Sequence, residues 1–208
     1  MEELVRKLPN RIVALRIHAT QDPKLPPSAG GAIRDRDLRA PAIRTTIRKA
    51  HELGLGIQFH LIPYYARHVA ALAAEFSGTM MILDHLARAA QGTPEEYEEV
   101  LRLARFSKVV MKYSAVQYAS RQPHPHDDAR PLVRRVYDAF GPDRIIWGGL
   151  GHNMKDFHRH FELLDRMFDF ASAADRAKIR GGNAIRLYGL MGGRASSPRG
   201  PLAPPVPG

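Results

Sequence analysis

Three histidines stand at the ends of short apolar segments: His18 in RIHA, His60 in QFHL and His85 in LDHLAR. Short apolar runs of this kind predict buried strands, and side chains at the carboxyl ends of parallel strands converge. We therefore expect His60 and His85, from consecutive strands, to lie side by side. A neutral imidazole there can ligate a metal, orient a carbonyl or transfer a proton. The alternative is a buried histidine that is hydrogen-bonded to a loop carbonyl.

Polar residues on the same strands are candidates for binding a substrate. Arg88 could hold a substrate carboxylate with its planar guanidinium, or be a surface arginine. Arg16 and Lys112 are charges inside apolar strands, so each is predicted to point into a wet cavity or to meet a carboxylate. Tyr113 ends its strand and could donate a hydrogen bond, although a half-buried aromatic of this kind often only packs. The candidate substrate-binding residues are Arg16, Arg88 and Tyr113.

Asp84 immediately precedes His85 in the sequence. Because side chains alternate along a strand, we expect these two to point in opposite directions. Asp84 is therefore predicted to cap or pair with a helix rather than to join the histidines.

The rest of the chain alternates short strands with amphipathic helices. The strands read as continuous apolar runs, which is typical of a parallel sheet covered by helices on its faces. An open doubly wound sheet and a (β/α) barrel both fit, although the lack of a Gly-rich turn after the first strand counts against a dinucleotide fold. The predicted strands are 12–19, 57–61, 80–85, 109–115 and 145–148, and the predicted helices are 41–53, 66–76, 94–106, 129–140, 155–170 and 172–187.

Composition limits the class of protein. The 208 residues suffice for one main domain, expected over 1–190, with a long loop at 21–39 and a Pro/Gly-rich tail at 191–208 that is expected to be disordered. The chain has no cysteine, which excludes disulfides and zinc–thiolate sites and fits a reducing cytoplasm. No apolar run resembles a secretory signal or a membrane span. Lys and Arg total 31 against 21 Asp and Glu, but they are dispersed, so we expect a small anionic substrate rather than nucleic acid.

The order of these segments resembles the amidohydrolase superfamily, and most closely its amidohydrolase-related branch, which includes lactonases. The resemblance covers about residues 10–190 and implies a partial TIM-type (β/α) barrel, with about five C-terminal βα units of a distorted (β/α)8 barrel. It also implies hydrolysis of a lactone, amide or related bond, or decarboxylation in some members. The matching segments are ELGLGIQFHL, MMILDHLAR, VVMKYSA, HPHDDARPLVRRVYDAFGPDRIIWG and DRAKIRGGNAIRLYGL.

The resemblance carries roles onto single residues of this chain. His60 and His85 match histidines of the fifth and sixth strands that bind metal or a substrate carbonyl, so they are the candidate ligands of a divalent metal such as zinc. Two histidines alone would bind zinc weakly, and the site could use no metal. Arg88 matches a residue that contacts anionic substrate. Two departures stand out: Leu150 replaces the metal-binding Asp of the eighth strand, and the first strand with its HxH pair is missing. His152 could supply a nitrogen in place of the Asp.

The expected function is hydrolysis of a lactone, or a similar cyclic ester or amide, of a carboxylated small molecule. Water would attack a carbonyl polarised by His60 and His85, with His152 or a residue of an absent segment as the base. The alternative is a catalytically inactive fragment or a binding module. Such an open half-barrel would expose strand edges and apolar surface and would be expected to form homo-oligomers or aggregate.

Overall fold

The computed structural model describes residues 2–8, 11–24, 35–149 and 154–190. Within them, five parallel strands form one sheet in chain order, and each strand is followed by a helix. A doubly wound sheet reverses its strand order at a switch point, whereas a barrel does not. The predicted α/β fold is therefore confirmed, in its barrel form. The strands are β1 (Ala14–Ala19), β2 (Gly56–Leu61), β3 (Met81–Leu83), β4 (Val109–Tyr113) and β5 (Ile145–Trp147).

The helices begin and end close to the positions predicted from the sequence. The helix after β3, for example, begins with a capping box between Thr93 and Glu96 and has proline in its first turn. None of the described helices has the length and apolar character needed to cross a bilayer. The helices are α1 (Glu2–Lys7), α2 (Pro41–Glu52), α3 (Ala66–Glu75), α4 (Pro94–Arg102), α5 (Arg130–Phe140), α6 (Met154–Met167), α7 (Ala173–Ala177) and α8 (Asn183–Tyr188).

Several elements differ from the prediction, and α1 has no predicted counterpart. The single helix expected over 172–187 is divided into α7 and α8 by a π-helical segment, Lys178–Gly182, which contains the two consecutive glycines of this stretch. Glycine lowers helix propensity, so the regular hydrogen-bond ladder is weakest there. The strand expected over 80–85 ends at Leu83, because the backbone turns left-handed at His85. The predicted tail at 191–208 lies outside the described residues, as do Leu150 and His152.

The two faces of the sheet have different chemistry. The face that meets the surrounding helices carries apolar side chains such as Ile17, Phe59 and Leu83, which form the main core. On the opposite face, farther from the carboxyl ends of the strands, Ile82, Val110 and Ile146 form a second apolar cluster. Helix α8 packs against this cluster through Ala184, Leu187 and Tyr188. In a closed barrel the opposite face would line the interior.

Polar side chains occupy the opposite face nearer to the carboxyl ends of the strands. The parallel register pairs Arg16 with Gln58 and His18 with His60 across β1 and β2. Residues two apart on one strand share a face, so each of these strands contributes two successive polar side chains. The sheet thereby places one polar surface at its carboxyl edge, above the apolar cluster that α8 covers.

Candidate active site

Three imidazole rings stand in a row along the carboxyl edge of the sheet. The ring centroids of His60 and His85 are 4.9 Å apart at an interplanar angle of 80°, and those of His18 and His60 are also 4.9 Å apart. The structure thus brings together the two histidines that the strand order predicts to be neighbours. Both rings belong to one cluster on the face of the sheet opposite the main core. We call this the interior-type face, because it would line the interior of a closed barrel.

A left-handed turn places His85 in this cluster. Residues His85, Leu86, Ala87 and Arg88 have φ values of 54°, 52°, 51° and 51°, where residues other than glycine cost about 1–2 kcal/mol each. Two hydrogen bonds hold the turn: Ala87 N–H donates to the Asp84 carbonyl at 2.8 Å, and Tyr97 Oη donates to the Leu86 carbonyl at 3.1 Å. The turn therefore needs support from its surroundings, and the buried tyrosine supplies part of it.

Asp84 joins the cluster, contrary to the expectation from strand alternation. Its fully buried carboxylate accepts hydrogen bonds from Gln58 Nε2, which lies 2.8 Å from both oxygens. It also pairs with Arg16 Nη2 at 2.6 Å and with Lys112 Nζ at 3.4 Å. The expectation failed because the alternation ends with β3, so His85 turns back to the face that carries Asp84. Arg16 and Lys112 meet a carboxylate, as predicted for charges in apolar strands.

Each of the two central imidazoles accepts a hydrogen bond from a guanidinium. Arg88 Nη1 lies 2.9 Å from Nε2 of His60, and Arg16 Nη2 lies 3.1 Å from Nε2 of His85. Because a guanidinium can only donate, both Nε2 atoms carry a lone pair and the protons reside on Nδ1. Nδ1–H of His85 donates to Ser114 Oγ at 2.8 Å. Nδ1 of His60 is buried without a hydrogen-bond partner among the described residues.

Burial keeps both imidazoles neutral. It lowers the pKa of His60 to about 4, and the neighbouring His85 and the two guanidiniums act in the same direction. It also lowers the pKa of His85 to about 4, although the Asp84 carboxylate opposes this shift. Burial and Arg16 lower the pKa of His18 as well. At neutral pH the rings are therefore uncharged proton acceptors surrounded by fixed cations.

The cluster carries an excess of positive charge. Three cations, Arg16, Arg88 and Lys112, surround the two imidazoles, while Asp84 is the carboxylate that pairs with the first and the last of them. Arg88 also lies over the ring of Tyr118, with Cζ 4.3 Å from the ring centroid, and donates through Nε to Gln91 Oε1 at 2.7 Å. Neutral partners position Arg88 without neutralising it, so the site favours an anionic ligand.

The sequence profile of the amidohydrolase family matches residues 2–190. The chain belongs to this family. L-fucono-1,5-lactonase of Burkholderia ambifaria is 29% identical over 160 residues, which cover 71% of this chain and 53% of the lactonase. The chain thus spans about half the length of this curated relative.

Solved structures show the same fold. A candidate 2-pyrone-4,6-dicarboxylic acid hydrolase of Pseudomonas putida superposes with a TM-score of 0.72 at 19% identity, covering 92% of this chain and 68% of its own. An amidohydrolase of Burkholderia multivorans with bound zinc gives a TM-score of 0.58 at 19% identity, covering 90% and 77%. At these identities the likeness establishes the fold, that of a partial TIM-type barrel.

Metal binding is common in the amidohydrolase family, but the described donor atoms of this chain do not fit a metal ion. No group of three or more His, Cys, Asp or Glu side chains in residues 2–8, 11–24, 35–149 and 154–190 is arranged to hold one. Nε2 of His60 and Nε2 of His85 already accept from guanidiniums, and Asp84 is engaged by two cations and an amide. A cation would meet positive charge where it needs ligands.

Tyr113 lies apart from the histidine cluster. Its ring lies on the helix-facing side of β4, edge-on to Phe168 at 5.1 Å, and the side chain is buried in the main core. Its hydroxyl has no hydrogen-bond partner among the described residues, and burial raises its pKa. The geometry therefore favours the packing role, because an odd-numbered position on β4 faces the helices. The next residue, Ser114, faces the histidines instead.

Sequence reasoning missed the uncharged polar members of the cluster. Asp84 accepts a hydrogen bond from Gln58, His85 donates to Ser114, and Arg88 lies over the ring of Tyr118. Gln58 and Ser114 were recognisable in principle, because each lies two residues from a polar side chain already assigned to the same strand and therefore shares its face.

Proposed function

We propose that this amidohydrolase chain hydrolyses a lactone, or a similar cyclic ester or amide, of a carboxylated small molecule. The observation that carries the proposal is the pairing of two neutral imidazoles with two guanidiniums at the carboxyl edge of the sheet. A lactone carbonyl needs a donor for its oxygen and a base for the attacking water, and this arrangement offers both. The lactonase relative from Burkholderia ambifaria supports the reaction class.

Substrate binding redistributes the hydrogen bonds of the arginines. A carboxylate carries the negative charge that a neutral imidazole lacks and can accept two parallel hydrogen bonds from one guanidinium, so it competes well with Nε2 of His60 for Arg88. Arg16, which is already paired with Asp84, is available to the substrate carbonyl. Moving a guanidinium onto the substrate frees Nε2 of His60 or His85. The anionic substrate thus exposes the base that its own reaction requires.

His85 is the better placed of the two bases. Protonation at Nε2 produces an imidazolium beside the buried Asp84 carboxylate, which stabilises the positive charge. Ser114 holds the ring through Nδ1–H, so Nε2 points towards Arg16. His60 has no such carboxylate among the largest influences on its pKa, and we assign it to ordering the attacking water.

The proposed reaction proceeds in two steps. Water loses a proton to Nε2 of His85 while its oxygen forms a bond to the lactone carbonyl carbon, and the guanidinium of Arg16 stabilises the developing oxyanion. The ring C–O bond then breaks, and the proton on His85 passes to the departing ring oxygen to give a hydroxy acid. The carbonyl-polarising role expected for His60 and His85 passes to Arg16, because a deprotonated Nε2 can only accept.

A binding module remains the second candidate function. Within the described residues, β5 pairs only with β4, and the outer edge of β1 forms only an isolated bridge between His18 and Asp35, so the sheet does not close into a barrel. Openness admits water, which weakens the electrostatic contribution that a closed site would make. The chain would then bind the carboxylated ligand without turnover.

The decisive experiment compares binding with turnover for the purified chain. The substrate 2-pyrone-4,6-dicarboxylate carries two carboxylates, whereas L-fucono-1,5-lactone is uncharged, and hydrolysis of either releases a proton that an indicator dye detects. We expect hydrolysis of the carboxylated lactone, its loss in His85→Gln, and full activity in the control His158→Gln, which replaces an exposed histidine on α6. Calorimetric binding without proton release would favour the binding module, and neither binding nor turnover would refute both functions.

Zinc titration tests the metal prediction for His60 and His85 separately. We expect the chain, freed of metal by chelator, to keep its activity, because guanidiniums occupy both Nε2 atoms. Stoichiometric zinc binding that disappears in His60→Gln and His85→Gln would contradict this assignment. His152 stays a sequence prediction, because it lies outside the described residues.

A further inference from the structure

We propose that a second site, at the opposite edge of the sheet, binds a small organic anion with an apolar body. A cavity of about 430 Å³ opens there, beside the first residues of β2, β3 and β4 and against α8. The histidine cluster lies at the carboxyl ends of the same strands, so the two sites share the interior-type face but open at opposite edges. The second site is independent of the proposed hydrolysis.

Three cations line this cavity, and no Asp or Glu is among its lining residues. Arg144 donates through Nη1 to the carbonyls of Ala104 and Phe106 at 2.7 and 3.0 Å, and through Nε to that of Phe140 at 3.1 Å. Its hydrogen bonds are therefore satisfied by neutral oxygens, while its charge is not neutralised.

Arg186 and Lys108 extend the same pattern. Arg186 Nη2 donates to the main-chain carbonyl of Asp143 at 2.7 Å, whereas the carboxylate of Asp143 pairs with Lys178. No carboxylate in the described part of the chain forms a salt bridge with Lys108, Arg144 or Arg186. Elsewhere the described arginines and lysines often form short salt bridges with acids. The three cations of this cavity do not, so they create a positive electrostatic potential that attracts an anion.

The inner wall of the cavity is apolar. Met80, Val110 and Leu187 line it; Val110 belongs to the small core between the sheet and α8, and Met80 and Leu187 pack against that core. Ligand pockets typically combine an apolar lining with a few polar groups that fix orientation. An apolar wall below a cationic rim therefore suits a ring or short chain bearing a carboxylate better than an inorganic ion. In barrel enzymes the chemistry lies at the carboxyl edge, so catalysis does not account for these cations.

The experiment uses the methyl group of Met80 as a reporter in the full chain. The chain is labelled with ¹³C-methyl methionine, the Met80 signal is assigned through Met80→Leu, and benzoate is titrated as the probe. We expect a saturable shift of the Met80 signal. The double variant Lys108→Glu, Arg186→Glu should raise the dissociation constant at least tenfold. Lys155→Glu, an exposed charge reversal on α6, should change it less than twofold.

Further probes separate the parts of the proposal. Benzyl alcohol has the ring without the charge, and inorganic phosphate has the charge without the ring; both should bind more weakly than benzoate. Arg88→Ala removes a cation of the histidine cluster and should leave the Met80 response intact, which separates this site from the proposed hydrolytic one. The proposal is overturned if Met80 does not respond, if the double variant binds benzoate normally, or if either control probe binds as well as benzoate.

Discussion

Nη1 of Arg88 lies 2.9 Å from Nε2 of His60, although the two residues are 28 positions apart in the sequence. His60 is the penultimate residue of β2, and Arg88 follows the next strand at the end of the left-handed turn. The contact places a permanent cation on the lone pair of a neutral base. A substrate carboxylate is a better acceptor than a neutral imidazole, so we expect it to displace Nε2 of His60 from the guanidinium of Arg88.

Arg88→Ala should therefore weaken the binding of a carboxylated lactone more than it slows the chemical step. Loss of a charge-assisted hydrogen bond of about 1.5–3 kcal/mol corresponds to a rise in KM of roughly 10- to 150-fold. Steady-state kinetics on the carboxylated and the uncharged lactone measure this directly. Arg102→Ala, which removes an exposed arginine paired with Glu99, is the matched control. Equal losses on both lactones would contradict carboxylate recognition by Arg88.

The pH profile should report the neutral imidazoles. The pKa values of His60 and His85 are lowered to about 4, so a base mechanism predicts that kcat/KM rises with pH through an apparent pKa near 4 and is constant from about pH 6 to 8. Initial rates across this range, with stability checked at each pH, give the profile. An apparent pKa near 6.5 would indicate a solvent-exposed histidine as the base, and would exclude the buried pair.

Much of this site could be predicted, because its main geometry follows from strand order. Apolar segments ending in His60 and His85 are consecutive in the chain, and consecutive parallel strands of a barrel are neighbours, so the two rings had to lie close together. The same reasoning placed Arg16 and Lys112 against a carboxylate. Family resemblance then added the reaction class and the expected role of Arg88, which stays a prediction.

The placement of Asp84 and His85 on one face, through the left-handed turn, could not be predicted from the sequence. Left-handed backbone is usually signalled by glycine or asparagine, and the segment His85–Arg88 contains neither. Its conformation depends on tertiary contacts, such as the hydrogen bond from Tyr97 to Leu86, that no local pattern encodes. Strand alternation was therefore extended two residues too far. The same uncertainty about where the strand ends hid the contact between His85 and Ser114.

Stability should also depend on pH, with a sign set by the buried histidines. In the unfolded chain their pKa returns to about 6.5, whereas the folded values are about 4. Between these values the unfolded state binds more protons, so the free energy of unfolding falls as the pH falls from 6.5 towards 4. Urea midpoints at pH 7 and pH 5 should show this loss. It should shrink in the double variant His60→Gln, His85→Gln and persist in His158→Gln; an undiminished loss in the double variant would contradict it.

Ser114→Ala should slow turnover without affecting substrate binding. Ser114 Oγ accepts the proton on Nδ1 of His85 at 2.8 Å, and its loss leaves a buried donor unpaired at a cost of about 1–3 kcal/mol. We expect kcat to fall roughly tenfold with KM within twofold, because the residue positions the base and does not touch the substrate. The Nδ1–H signal of His85 in proton–nitrogen spectra should disappear, and Ser114→Thr should restore it. Unchanged kcat in the alanine variant would remove Ser114 from this role.

Two buried tyrosines provide a matched test of the site boundary. The hydroxyl of Tyr113 lacks a hydrogen-bond partner among the described residues, whereas that of Tyr97 donates to the Leu86 carbonyl inside the left-handed turn. Tyr113→Phe should therefore leave activity unchanged and stability equal or higher. Tyr97→Phe should lower the free energy of unfolding by about 1 kcal/mol and reduce activity, because it loosens the turn that carries His85 and Arg88. Urea unfolding and lactone turnover measure both effects. Loss of activity in Tyr113→Phe would indicate that Tyr113 binds substrate, and would refute its placement outside the site.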